Sequence, residues 1–226
     1  MEGLILRSLG GFYTVISEAG TRTEGRGRGI FRKDQTTLLV GDRCTFEPTE
    51  PGCGSITAIA PRKNTLQRPP VANLDRLALV TSLADPAPNA TVIDQLTAIA
   101  ARREIPVVVI FTKPDLADPA PWVEIYRKAG YPTAVVNNLT GEGLETASLL
   151  LRGGITAFCG NSGAGKSSLM NGLYPDLKLA TGEISKKLGR GRHTTRHVEL
   201  FRLEGDAIIA DTPGFAAFDT EIPELL

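Results

Sequence analysis

Gly160-Asn161-Ser162-Gly163-Ala164-Gly165-Lys166-Ser167 fits the phosphate-loop pattern G-x-x-x-x-G-K-[ST] at every position. The apolar run Ile155 to Cys159 precedes it, and a helix is expected over Ser167 to Leu173, so the segment reads as strand, loop and helix. In that context glycines let the backbone wrap closely around phosphate oxygens, often with positive φ. Successive N–H groups and the start of the helix then supply partial positive charge, with Ser168 completing the cradle. Lys166 is expected to reach the β- and γ-phosphates. The Ser167 hydroxyl suits Mg²⁺, a hard cation that takes oxygen ligands.

Working outward, the alternation of strands and helices sets the fold class. Leu77 to Thr81 reads as a strand, Thr91 to Arg103 as a helix, and Val107 to Phe111 as a continuous β-branched run of the kind buried on both faces. Pro121 to Ala129 and Leu144 to Leu151 read as helices around a strand at Thr133 to Val136. This pattern implies a mainly parallel sheet with helices on both sides.

Thr112-Lys113-Pro114-Asp115 follows the β-branched run and resembles the [NT]-K-x-D element by which GTPases select guanine. Asp115 is suited to accept both hydrogen bonds from the guanine amidine edge, and adenine presents the opposite donor and acceptor pattern. Lys113 would pack its stem along the base, and Thr112 stands where asparagine is commoner. In an ordinary Ras-like GTPase the phosphate loop comes first. Here the order is reversed, which points to a circularly permuted GTPase.

Asn137-Asn138-Leu139-Thr140-Gly141-Glu142-Gly143 takes the place of the S-A element that finishes the guanine pocket, with Asn137 and Asn138 replacing serine and alanine. The usual contact there uses a backbone N–H. Ala207 to Ala210 reads as a strand running into Asp211-Thr212-Pro213-Gly214, a D-x-x-G element. Asp211 is placed to hold Mg²⁺ through water, and the Gly214 N–H to contact the γ-phosphate. A switch threonine belongs between the phosphate loop and D-x-x-G; Thr195 is the first choice and Thr194 the second.

Residues 1 to 66 read differently, as short strands at Gly3 to Ser8, Phe12 to Ser17, Thr37 to Val40, Arg43 to Glu47 and Gly54 to Ile59. Close spacing suggests a small barrel, and the count of five suits an OB-fold, although SH3-like barrels give a similar pattern. Asn64 to Asn73, with Pro69-Pro70, is expected to be a stiff linker. The expected division is a barrel domain over 1–66 and a GTPase domain over 67–226. Arg22, Arg26, Arg28, Arg32 and Lys33 crowd one expected loop of the barrel and form a candidate RNA surface. Phe12, Tyr13 and Phe31 are assigned to the core rather than to base stacking.

Bulk properties exclude several classes. Formal net charge is zero, so affinity for nucleic acid must come from local patches. No signal peptide is expected, and the run Val107 to Phe111 is far too short to span a bilayer. Three scattered cysteines without C-x-x-C spacing argue for a reducing compartment. We therefore expect a cytoplasmic protein without membrane association, and a monomer is the expected state, which the sequence itself does not give.

The permuted order, together with G-N-S-G-A-G-K-S-S-L-M-N, G-R-G-R-H-T-T-R, D-T-P-G-F and R-P-P-V-A-N-L-D, resembles the small-subunit-dependent GTPases of the RsgA (YjeQ) family. The likeness runs from about Leu4 to Phe218. It implies an N-terminal OB-fold that binds rRNA. It also implies Mg²⁺-dependent GTP hydrolysis, yielding GDP and stimulated by the small ribosomal subunit, in late maturation of that subunit. Phe215 follows D-x-x-G where Ras-like proteins place a water-orienting glutamine. The resemblance gives that role to His193, with contact to RNA or solvent as the alternative. Family members continue into a C-terminal zinc domain, whereas this sequence ends at Leu226, so zinc is not expected here and coupling to the subunit is expected to weaken. A nucleotide-dependent RNA-binding switch with negligible catalysis stays open, as does an ATP-dependent P-loop enzyme, against which Asp115 argues.

Overall fold

The computed structural model describes residues 1–33, 36–50, 52–67, 70–175, 198–202 and 207–211. Within them, strands β8 (Arg76–Ser82), β9 (Val107–Thr112), β10 (Thr133–Val136), β11 (Gly154–Cys159) and β13 (Ala207–Asp211) form a parallel sheet in the order β10-β9-β8-β11-β13. Strand β12 (Glu199–Arg202) adds antiparallel to β13.

Residues of these strands alternate between two cores, as period-2 side-chain geometry requires. Leu77, Leu79, Val107, Val109 and Phe111 pack with Ile93 and Leu96 of α2 (Ala90–Arg102) and with Tyr126 of α3 (Ala120–Lys128). Ala78, Val80, Val108 and Ile110 face the other side, against Ala147 of α4 (Leu144–Leu150) and against Leu169 and Met170 of α5 (Lys166–Leu173). The expected helices on both sides of a mainly parallel sheet are present. Asn89 caps α2 by accepting from the Val92 N–H, and α3 begins beside Pro119 and Pro121, where a missing N–H costs nothing.

Strand order creates a switch point near the middle of the parallel sheet. From β8 the sheet grows through β9 to β10 on one side, and the chain then returns to place β11 on the other side of β8. The direction of growth reverses between β8 and β11. In open α/β sheets ligands bind at such a point, beyond the carboxyl ends of the strands. The phosphate loop leaves β11 there.

In the N-terminal part, β1 (Glu2–Leu9), β2 (Phe12–Ser17), β3 (Arg22–Gly27), β5 (Cys53–Ile59) and β4 (Arg43–Glu50) pair in sequence around a ring, and β4 pairs back to β1. Ile5, Val15, Cys44, Phe46 and Ile56 fill its interior. A bulge between Ile5 and Arg7 lets both Ile5 and Leu6 be buried, one inside the ring and one against the larger sheet. Burial pushes the Cys44 thiol up to about 12.

Two expectations are corrected here. The third strand is Arg22–Gly27, not Thr37 to Val40. Its alternation is real but hidden, because glycine stands where an inward apolar residue would reveal it. A Cβ on Gly25 would lie 2.2 Å from the Gly54 carbonyl oxygen, so the backbones of β3 and β5 meet too closely for a side chain. Thr37 to Leu39 instead has no regular structure and leads to an isolated parallel bridge between Val40 and Val71, beside Asp42, whose carboxylate accepts the Leu39 N–H at 2.7 Å and two bonds from Arg62 at 2.6 and 2.8 Å.

The expected linker is also ordered structure. β6 (Thr65–Gln67) and β7 (Pro70–Ala72) form a hairpin, with Leu66 and Val71 buried in the larger core. Asn64 and Leu74 exchange two hydrogen bonds at 2.8 and 2.9 Å, and the Asn73 amide donates to the Gly41 carbonyl at 2.9 Å. Pro70 fits as the first residue of β7, where a missing N–H is tolerated.

Candidate nucleotide-binding site

Parallel strands bring their carboxyl ends to one edge of the sheet, and the phosphate loop, the segment 112–115 and the loop 137–143 sit on that edge. Thr112 ends β9 and pairs in register with Val136, the end of β10, and with Ser82, the end of β8. Cys159 ends β11 opposite Leu79, and Asp211 ends β13. Sequence segments nearly 100 residues apart are thus gathered by sheet register alone.

Phosphate-loop geometry follows from its glycines. Gly160, Gly163 and Gly165 have φ of 137°, 80° and 82°, and Gly165 is the N-cap of α5. Lys166 folds back over the loop and donates to the carbonyls of Gly160 and Asn161, both at 2.7 Å. Burial lowers its pKa from the ordinary lysine value. Beneath it Cys159 is buried, and desolvation raises its thiol to about 12, so it stays neutral. Ser162 and Gly163 are exposed, Ser167 and Ser168 are half-buried at the start of α5, and Ala164 is buried.

The segments expected to read the base reach this loop directly. The Thr112 hydroxyl, fully buried, donates to the Ala164 carbonyl at 2.7 Å. The Asn138 side-chain amide donates to the Gly165 carbonyl at 3.2 Å. Asn137 works within its own loop, where its carboxamide oxygen accepts the N–H groups of Leu139 at 2.9 Å and Thr140 at 3.3 Å. Asp115 is exposed, its carboxylate open to a ligand edge.

One contributor was missed in the sequence. After β8, Asp85 and Pro86 lie beside Gly163 of the phosphate loop. Lys113 donates its ammonium to the Asp85 carbonyl, and the Ser82 hydroxyl donates to the Pro86 carbonyl at 2.6 Å. The Pro86 ring approaches Gly163, its Cδ being 3.4 Å from where a Cβ would stand. The only available signal was the strand-then-turn pattern Leu83-Ala84-Asp85-Pro86, which carries no motif.

His193, Thr194, Thr195, Gly214 and Phe215 lie outside the described residues, as does the side chain of Asp211. Among the basic residues, Arg22 and Arg26 are exposed on strand β3 and not on a loop, and Arg28 follows it. Arg26 stacks over Phe12 at 4.1 Å, and Phe12 is 45% exposed, which corrects its assignment to the core. Tyr13 and Phe31 do pack against the barrel interior. Arg28 is paired with Glu47 at 2.5 Å. Arg32 and Lys33 belong to helix α1 (Gly29–Lys33), with side chains outside the described residues.

Comparisons agree with this geometry. Two family models match, the RsgA GTPase over residues 59–221 and the RsgA N-terminal domain over residues 2–56. A "small ribosomal subunit biogenesis GTPase RsgA" from Geobacillus kaustophilus is 44% identical, over 99% of this chain and 78% of that protein. Its counterpart from Moorella thermoacetica is 43% identical, over 97% and 76%. Among solved structures, YjeQ from Thermotoga maritima superposes with a TM-score of 0.80 at 32% identity, covering 95% of this chain and 75% of that one. YloQ, described as a circularly permuted GTPase, gives 0.78 at 31%, covering 97% and 73%.

Proposed function

The chain belongs to the RsgA GTPase family, and from that premise we propose how this GTPase of small-ribosomal-subunit biogenesis uses the site just described. It binds guanine nucleotide at the carboxyl edge of the sheet. Asp115 reads the base, Lys113 and the loop of Asn137 and Asn138 flank it, and Gly160 to Ser168 cradle the phosphates. The observation that carries this reading is the meeting of Thr112 and Asn138 with the phosphate loop at 2.7 and 3.2 Å. That contact joins the base-selecting and phosphate-binding segments into one pocket despite their reversed order.

In the ligand-bound state Lys166 exchanges two loop carbonyls for phosphate oxygens, a charge-assisted gain. Ser167, Asp211 and Thr195 would hold Mg²⁺ through oxygen, the donor type it prefers, and the ion would offset charge on the β- and γ-phosphates. Gly214 meets the γ-phosphate through its N–H, and His193 orients the attacking water, the task Phe215 cannot perform. Small subunits stimulate turnover, with Arg22, Arg26, Arg28, Arg32 and Lys33 of the N-terminal domain, residues 1–66, contacting rRNA. Residues 67–226 make up the GTPase domain. The protein acts as a monomer in the cytoplasm; among the described residues no helix is long and apolar enough to cross a membrane.

Steady-state GTP turnover, measured alone and with small ribosomal subunits, tests the reading. Turnover that rises with subunits supports it. Tight GDP binding with no turnover in either condition would favour the nucleotide-dependent RNA-binding switch, for which Phe215 is the motivating residue.

A further inference from the structure

Two neighbouring strand ends each place one side chain on consecutive carbonyls of the phosphate loop. Thr112 at the end of β9 takes Ala164, and Asn138 beyond β10 takes Gly165. A hydroxyl has a single proton, so Thr112 cannot serve both carbonyls. The Gly165 carbonyl already accepts the first α5 bond, from the Leu169 N–H at 2.9 Å, and Asn138 uses its second lone pair. Asn138 therefore ties the start of α5 to the loop that closes the base pocket.

The approach is tight. A Cβ on Gly165 would lie 2.7 Å from the Asn138 Nδ2, so this glycine serves both its φ of 82° and the asparagine beside it. The same asparagine leaves its Oδ1 buried with no hydrogen-bond partner among the described residues. An orphaned acceptor disfavours folding, and an alanine would remove that penalty. It would also remove the side-chain hydrogen bond from the Asn137–Gly143 loop to the phosphate loop.

Peptide planarity says what the tie does. The Gly165 C=O and the Lys166 N–H belong to one rigid trans unit and point in opposite directions. Holding the oxygen aims that N–H, one of the free donors at the start of α5. By the same logic Thr112, on the Ala164 oxygen, aims the Gly165 N–H.

We propose that Asn138 is a positioning residue that couples the base site to the phosphate site, so that the two halves of the nucleotide bind as one unit. The proposal rests on the guanine-site reading above and deepens it. Its signature is a coupling, not a general weakening: the affinity gained on passing from GMP to GDP depends on residue 138.

The test compares GMP and GDP affinities by calorimetry for the wild-type chain, Asn138→Ala and Asn138→Asp, with thermal melting alongside. For Asn138→Ala the gain from GMP to GDP is expected to shrink about tenfold, over and above any loss of GMP binding. Asn138→Asp keeps the shape but turns an acceptor toward the Gly165 carbonyl, and is expected to shrink the gain at least as far. Equal weakening of both nucleotides, or an unchanged gain, would overturn the proposal. Should the alanine variant fail to fold, the aspartate variant decides by the same ratio. A wild-type control of GDP against ADP reports separately on the guanine reading, which would fail if the two bound alike.

Discussion

Thr112→Val removes one hydroxyl from the centre of the site and nothing else of size. The wild-type side chain is fully buried and donates to the Ala164 carbonyl at 2.7 Å; its 3.5 Å approach to the Thr81 carbonyl is too long to add much. Valine fills the same space, so no cavity opens, but the Ala164 oxygen loses this donor in a buried setting. Leaving a buried acceptor unpaired costs about 1–3 kcal/mol. At roughly 2–4 °C per kcal/mol for a chain of this size, the melting temperature should fall by about 4–8 °C for a mid-range loss of about 2 kcal/mol. If the bond also sets the loop for phosphate, GDP affinity falls by about tenfold for each 1.4 kcal/mol transferred to the binding step. Thr112→Ser is the counterpart, since it keeps the hydroxyl and loses a methyl. It should lower stability by about 1 kcal/mol and leave GDP affinity within about threefold. Calorimetric titration with GDP and thermal melting read both quantities. GDP affinity that survives in the valine variant, or falls as far with serine as with valine, would refute the reasoning.

Other consequences follow from the same contacts. Asp115→Asn replaces an acceptor-only group with one that also donates, so GDP affinity should fall by at least about tenfold and xanthosine diphosphate, which offers a carbonyl there, should gain; displacement titrations with both nucleotides check this. Burial alone would raise the Asp75 carboxyl, but hydrogen bonds from Lys63 and from the Ile155 N–H outweigh it and hold the pKa below its ordinary value. A depressed carboxylate stabilises the fold above its unfolded pKa and ceases to do so as pH falls through the folded pKa. Asp75→Asn should therefore cost about 1 kcal/mol near pH 7, discounted for its partial exposure, and the gap to wild type should close below about pH 4 in melting curves. Arg26→Glu should weaken small-subunit binding in co-sedimentation more than Arg28→Glu does, because Arg28 is already paired with Glu47. Neither should alter GDP affinity, and a loss of it would mean that β3 acts through folding.

Much of the strand-and-loop framework of the candidate site was legible in sequence, because its parts are local. A phosphate loop needs its glycines and its lysine in one short run, and each base-reading segment follows an apolar strand whose period and length are read without tertiary knowledge. The expected strands at Thr133 to Val136 and Ile155 to Cys159 return almost unchanged as β10 and β11. What escaped was set by distant partners. Strand β3 was hidden because Gly25 faces the Gly54 carbonyl, a constraint that exists only once the ring closes. Leu38 and Val40 look like strand residues, yet their backbone is organised by Asp42 and by Arg62, twenty residues further on. The roles of the Asp85 carbonyl and of the Asn138 amide depend on contacts across 27 or 28 positions and leave no periodic trace.

The central claim is that a complete guanine site is assembled from strand ends in permuted order. Equilibrium competition of GDP and ATP for the pocket, with a fluorescent guanine nucleotide as reporter, tests it most directly. The account predicts displacement by GDP, none by ATP at the same concentrations, and loss of that preference in Asp115→Asn. Equal displacement by ATP, or a preference for GDP that survives the Asp115 substitution, would contradict it.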